Sequence, residues 1–132
     1  MAKETPVNVL LDTCALLALA RGELPARAAA LLRSAPEAIV SVVSPWEVAL
    51  KVAGRKLRLN GTPMQWFLGL VEQYELRQLP LDARTACAAA ALPPIHRDPF
   101  DRVLVALAQQ HALTVLTSDV DIPKYPNIRT LW

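Results

Sequence analysis

Short apolar runs, several of them β-branched, alternate along the chain with longer segments in which apolar residues recur every three or four positions. Residues 7–11 (VNVLL) have the length and make-up of a buried strand. Asp12-Thr13 then supplies a helix start, with a short helix over residues 14–20. Pro25 opens a second helix over residues 26–33, which Pro36 ends. Residues 38–43 (AIVSVV) read as the next strand. After it, Ser44 reads as an N-cap, Pro45 as the first helical residue and Glu47 as the acid that closes a capping box. That helix should reach Ala53, with Gly54 ending it. Thr62-Pro63 starts another helix through Tyr74, followed by a short strand over residues 76–79. Asp82 caps an Ala-rich helix that stops at Pro93-Pro94. Asp98-Pro99-Phe100-Asp101 repeats the cap, proline, acid pattern and opens a helix ending near His111. Residues 114–117 (TVLT) form a strand, and residues 128–131 a last one after a turn between Pro123 and Pro126. Strands alternating with helices predict an α/β fold, a parallel sheet with helices on both faces.

Composition narrows the picture. A chain of 132 residues without repeats, linkers or low-complexity tracts fits one domain spanning residues 1–132. With 53% hydrophobic and 20% charged residues it is not a disordered chain, and at 5% aromatic its core must rest on Leu, Val and Ala. The net charge of +2 is too mild to indicate nucleic-acid binding by itself. Cys14 and Cys87 show no metal-ligand spacing, in keeping with a reduced, cytoplasmic setting. The N-terminal residues lack the apolar segment of a signal peptide. Residues 59–71 carry no Asp, Glu, Lys or Arg but include Asn60, Gly61, Pro63 and Gln65, short of the ~18 apolar residues of a membrane span. A soluble protein without a membrane partner is expected.

Four acids fall where this topology collects them. Asp12 directly follows the first strand, Glu47 lies in the first helical turn after the second, and Asp119 follows the TVLT strand. All three belong at the carboxyl edge of the sheet, where open α/β folds bind ligands. Asp101 follows no strand, but only Ala112-Leu113 separates its helix from TVLT. So short a link puts the helix C-terminus at the amino edge and Asp101 at the carboxyl edge. Four acids at one edge repel each other unless cations sit between them. Oxygen ligands with few nitrogens or sulfurs suit Mg²⁺ or Mn²⁺, and such a site can position water for attack on a phosphodiester. Taken singly, each acid has a structural reading: Asp12 an N-cap, Glu47 a capping-box partner paired with Lys51, Asp101 a dipole-compensating acid and Asp119 a turn residue. None of these explains why all four share an edge.

LLDTCALL, SPWEVALKVAGRKLRL, HRDPFDRVLVALA and TSDVDI resemble, in order and spacing, the acidic motifs of PIN-domain proteins, and most of all the VapC-like toxin branch that carries HRDPFDR. The resemblance runs over residues 7–125. It implies a three-layer PIN-like fold and a Mg²⁺- or Mn²⁺-dependent endoribonuclease. As toxin of a type II, VapBC-type pair, it would have an RNA substrate, a cognate VapB-like antitoxin and a homodimeric state. Carried over by residue, the metal-binding and catalytic acids fall on Asp12, Glu47, Asp101 and Asp119, with Asp121 able to share or replace the last. Thr117 or Ser118 matches the small hydroxyl beside that acid, and Thr13 supports Asp12. Cys14 stands where the family commonly has Ser, His or Asn.

Lys51, Arg55, Lys56 and Arg58 form the densest basic cluster, and Lys51 and Arg55 follow Glu47 at four-residue steps. Phosphate contact is the functional reading, a solvated helix end the structural one. Arg97 and Arg102 flank Asp101, to neutralise acids or to meet phosphate. His96 and His111 form no zinc pattern and are poor candidates for a general base. Trp46 and Trp66 read as core or dimer-interface anchors. A phosphoacceptor receiver domain would need paired acids after the first strand, and a haloacid-dehalogenase-type phosphatase an Asp-x-Asp pair. Asp12-Thr13-Cys14 offers neither. The remaining rivals are a PIN nuclease of RNA maturation or DNA cleavage and a PIN-like module that binds RNA or a partner without cutting.

Overall fold

The computed structural model describes residues 6–132; the N-terminal residues 1–5, most of the segment judged not to be a leader, lie outside the described residues. Five strands, β1 (Val9–Leu11), β2 (Ala38–Ser41), β3 (Arg77–Leu79), β4 (Thr114–Leu116) and β5 (Arg129–Leu131), form one sheet in the order β3-β2-β1-β4-β5, every pair parallel. Six helices connect or flank them: α1 (Thr13–Arg21), α2 (Ala26–Ser34), α3 (Val43–Ala53), α4 (Pro63–Gln73), α5 (Ala83–Ala91) and α6 (Pro99–His111). A 3-10 turn, Ile122–Lys124, occupies the predicted turn before β5.

Successive strand residues point to opposite faces, and the core divides accordingly. Leu10, Ile39 and Val115 pack with Val103, Leu104 and Leu107 of α6 and Ala89 of α5 on one face. Val9, Leu11, Val40 and Leu116 pack on the other with Leu16 and Leu19 of α1, Ala28 of α2, and Phe67 and Leu70 of α4. This is the predicted three-layer arrangement. None of the described helices is long and apolar enough to cross a membrane.

Two predicted boundaries shift, each for a local reason. Pairing of β1 begins at Val9 because Asn8 turns its side chain to the Glu37 N–H (3.0 Å) while its carbonyl accepts from Thr114 N (3.0 Å). The expected cap at Ser44 is not formed. The Ser41 hydroxyl accepts from Val43 N at 3.1 Å and Val42 already turns helical (φ −62°, ψ −16°), so β2 stops at Ser41 and α3 begins at Val43. Ser44 lies inside the helix, fully buried, and accepts a hydrogen bond from the Thr13 hydroxyl at 3.1 Å. The other expected caps form, Asp12 accepting from Ala15 N, Thr62 in a full capping box with Gln65, Asp82 from Thr85 N and Asp98 from Phe100 N.

Candidate active site

The strand order reverses at β1, with β2 on one side and β4 on the other, and the carboxyl ends of β1 and β4 flank a topological switch point. Asp12 follows β1 and is 2% exposed. Its Oδ1 accepts from Ala15 N at 2.7 Å, and the Thr117 hydroxyl at the end of β4 hydrogen-bonds its carboxylate. Thr117 Oγ1 also accepts from Asp119 N at 3.0 Å, which ties the two acid-bearing strand ends together.

Glu47 reaches the same edge from α3 and is buried. One carboxylate oxygen pairs with Lys51 Nζ at 3.4 Å. The other, Oε1, is buried without a hydrogen-bond partner among the described residues. The capping-box reading of Glu47 therefore fails: among the described residues neither Ser44 nor Glu47 caps α3, and one oxygen of this acid is left over. Buried acceptors are rarely left in that condition, and a buried carboxylate oxygen free of other partners is available to a cation. Trp46, the neighbouring residue, stacks edge-on against Phe100 of α6 (ring centroids 4.9 Å apart). That contact braces the two helices that carry Glu47 and Asp101. Trp46 is half exposed and not part of the core, whereas Trp66 packs against it.

Asp101 and Asp119 meet at a residue the sequence reading set aside. His96 Nε2 lies 3.1 Å from Asp101 Oδ2 and 3.0 Å from Asp119 Oδ2. One ligand-type atom from each of these three residues lies within 4.8 Å of the others. The second oxygen of Asp119 accepts from Asp121 N (2.7 Å) and Ile122 N (3.2 Å). Asp121 turns its own carboxylate to Lys124 Nζ (2.8 Å), so the geometry brings Asp119, and not Asp121, to Asp101. The sequence signals for His96 were its place two residues before the cap of α6 and at the head of the HRDPFDR motif. It lacks the spacing of a zinc site, and its partners are 5 and 23 residues away.

The electrostatics are those of crowded acids. Burial raises the Asp101 carboxyl to about 7; Asp98, Glu47 and Asp12 add to the rise and His96 opposes it. Burial likewise raises Asp12 to about 6, against the hydrogen bonds from Thr117 and Ala15, with Asp119 and Glu47 adding repulsion. For Asp119, burial is outweighed by the hydrogen bonds from His96, Asp121 and Ile122, and its carboxyl lies below the usual value. Burial opposes the His96 imidazolium, but the Asp119 hydrogen bond and the Asp101, Asp119 and Asp98 charges outweigh it and raise the ring's pKa.

The remaining predicted residues separate. Lys51 and Lys56 line, with Glu47, Leu50, Gly54, Asp98 and Phe100, a groove of about 270 Å³ beside the acids. Arg55 is exposed at the end of α3 in a left-handed conformation (φ 59°), and Arg97 and Ser118 are exposed. Arg102 has another employment. Its guanidinium donates to the carbonyls of Ala90, Leu92, Pro93 and His96 at 2.8–3.2 Å, clamping the segment between α5 and α6. A larger cavity, of about 500 Å³, is lined by Leu19, Leu32, Ala38 and Tyr74 and contains none of the acids.

These residues fit a hard divalent cation: carboxylates from α3, α6 and the ends of β1 and β4, one with an orphaned buried oxygen. No curated protein matches the chain in sequence. Among solved structures, the chain is similar to FitAcB from Neisseria gonorrhoeae (26% identity, 94% of this chain and 96% of that one covered, TM-score 0.64). Its fold is also that of VapBC2 from Rickettsia felis bound to a fragment of its promoter DNA (14%, 95% and 98%, TM-score 0.66). A toxin–antitoxin complex from Klebsiella pneumoniae shares it too (21%, 91% and 94%, TM-score 0.62). The PIN domain family model matches residues 9–128, nearly every element described above, and the chain belongs to the PIN domain family.

Proposed function

We propose that this protein is a metal-dependent endoribonuclease and the toxin of a VapBC-type toxin–antitoxin pair. The observation that carries the reading is the crowding of Asp12, Glu47, Asp101 and Asp119 near the switch point, where burial and the neighbouring acids raise the pKa values of Asp12 and Asp101, with Glu47 Oε1 buried and unpartnered among the described residues. Carboxylates held at raised pKa in a crowd are stable as anions only beside positive charge. Asp12, Glu47, Asp101 and Asp119 would hold Mg²⁺ or Mn²⁺. Such an ion, when bound, supplies a polarised water and charge stabilisation at phosphate oxygens.

The chain's own residues do the rest. Thr117 fixes Asp12 and Asp119 relative to each other, and the Trp46–Phe100 contact fixes Glu47 relative to Asp101. Lys51 and Lys56 at the groove, with the exposed Arg55 and Arg97, offer cations for an RNA backbone, which is bound mainly through phosphate contacts. The toxin assignment, the antitoxin partner and the homodimer rest on the resemblance that the HRDPFDR motif carries and on membership of the PIN domain family, and the cytoplasmic site of action on the free cysteines Cys14 and Cys87.

The test is cleavage of total cellular RNA by purified protein with Mg²⁺ or Mn²⁺, with EDTA, and by Asp101→Asn. Discrete fragments that need the metal and vanish in the variant are expected. No cleavage, or equal cleavage by Asp101→Asn, overturns the nuclease and leaves a binding module. For the toxin, expression should arrest growth, and co-expression of a short neighbouring reading frame should relieve it.

A further inference from the structure

We infer that His96 is a built-in occupant of the cation position between Asp101 and Asp119, so that a divalent ion loads by displacing its imidazole rather than by gaining it as a ligand. The inference rests on the metal-dependent reading above and adds how the site is kept when no ion is bound. Two carboxylate oxygens from separate elements converge on one atom, His96 Nε2, at 3.0 and 3.1 Å. That atom lies between two of the carboxylates that would hold the ion.

The other ring nitrogen decides what His96 can do there. Nδ1 accepts the Asp98 backbone N–H at 3.1 Å. Its lone pair is therefore used, and in the neutral ring the hydrogen is on Nε2. A charged ring carries hydrogens on both nitrogens, so it gives up the Asp98 contact, and its Nε2 is again a donor. In neither state has Nε2 a lone pair for a metal; it is a donor to the two acids. To ligate through Nε2, the ring would have to carry its hydrogen on Nδ1, facing the Asp98 N–H donor to donor. As it is held, the ring competes with the ion for the same two oxygens.

The backbone around His96 is fastened on both sides. Its N–H donates to Tyr125 Oη at 2.8 Å, and its carbonyl accepts from Arg102 at 3.2 Å. Arg102 also holds Ala90, Leu92 and Pro93. The side chain, 16% exposed, borders solvent. Displacement is thus a rotation of the ring on a fixed backbone and requires no unfolding of the segment before α6.

Two substitutions separate the ring's two contacts. In His96→Asn the amide oxygen can take the place of Nδ1 and keep the Asp98 N–H satisfied, while nothing reaches the two acids. In His96→Gln the longer amide can still donate where Nε2 stood. The measurement is Mn²⁺ binding to metal-stripped, full-length protein, with free Mn²⁺ counted by electron paramagnetic resonance. Hydrogen bonds to charged groups are among the stronger ones, so their loss should tighten binding by about tenfold in His96→Asn. His96→Gln should stay near the wild type. Equal or weaker binding by His96→Asn overturns the inference while wild-type binding leaves the nuclease reading intact. No saturable binding by the wild type, matched by Asp101→Asn, would instead sink the nuclease reading and this inference with it. Should His96→Asn fail to fold, the wild-type ring answers alone. On Mg²⁺ addition its ¹⁵N signals should show Nε2 still protonated and freed from the acids; loss of that proton to a metal bond defeats the idea.

Discussion

Burial keeps the Asp101 carboxyl protonated to about pH 7 and that of Asp12 to about pH 6, with neighbouring acids adding to both shifts. In the unfolded chain each ionises near pH 4. A folded-state pKa above the unfolded one means that the folded protein binds more protons between those values. Stability is then fully present below about pH 4 and falls as pH rises through the window up to about 7. In EDTA the protein should accordingly melt at lower temperature at pH 8 than at pH 5. Asp101→Asn, which removes the larger shift, should flatten that dependence and at pH 8 melt above the wild type, by an amount on the order of 2 kcal/mol. Mg²⁺ should rescue the wild type and not the variant. Thermal unfolding with and without the ion decides this; a wild-type profile that is flat or rises with pH counts against buried, mutually repelling acids.

The N-terminus of α6 is the element on which site and fold depend most closely. Asp98 caps it through Phe100 N at 2.8 Å, and its backbone N–H orients His96. Its charge also contributes to the rise of Asp101. Asp98→Ala should cost about 1 kcal/mol, the usual cost of a lost cap. Asp98→Asn keeps the acceptor, so it should melt near the wild type while the Asp101 pKa, read by NMR titration in EDTA, moves down. Equal losses from both substitutions would mean that the charge, and not the cap, stabilises the helix. This helix was legible in the sequence because Asp98-Pro99 is a strong local start signal that nothing overrides. The start of α3 was not. Ser44-Pro45 is as good a signal, but Ser41 takes the first helical N–H and moves the helix start to Val43. Two hydroxyls compete within four residues, and strand register decides between them. His96 escaped for a related reason: its role comes from Asp119, brought beside it by the sheet.

At the scale of the whole molecule, hydrophobic period and short connections suffice to send all four acids to one edge, since that follows from strand direction alone. Strand order does not follow. That β1 lies between β2 and β4, and so places Asp12 and Thr117 in contact, depends on which strands pair, which local pattern does not record. A groove lined by Lys51 and Lys56 beside Glu47 and Asp98 sets cations next to acids on a chain whose net charge is only +2. Lys51 is already paired with Glu47 and has less charge to offer an incoming phosphate. Lys56 and Arg55 are exposed and have no ion-pair partner among the described residues. They are therefore the cations whose counterions RNA would release. Lys56→Ala and Arg55→Ala should each weaken RNA binding, measured on Asp101→Asn protein to prevent cleavage. Each should also lower the slope of log affinity against log salt by about 0.7 for single-stranded RNA. Wild-type slopes in both variants would move the RNA path away from the end of α3 and leave the exposed Arg97 as the next candidate.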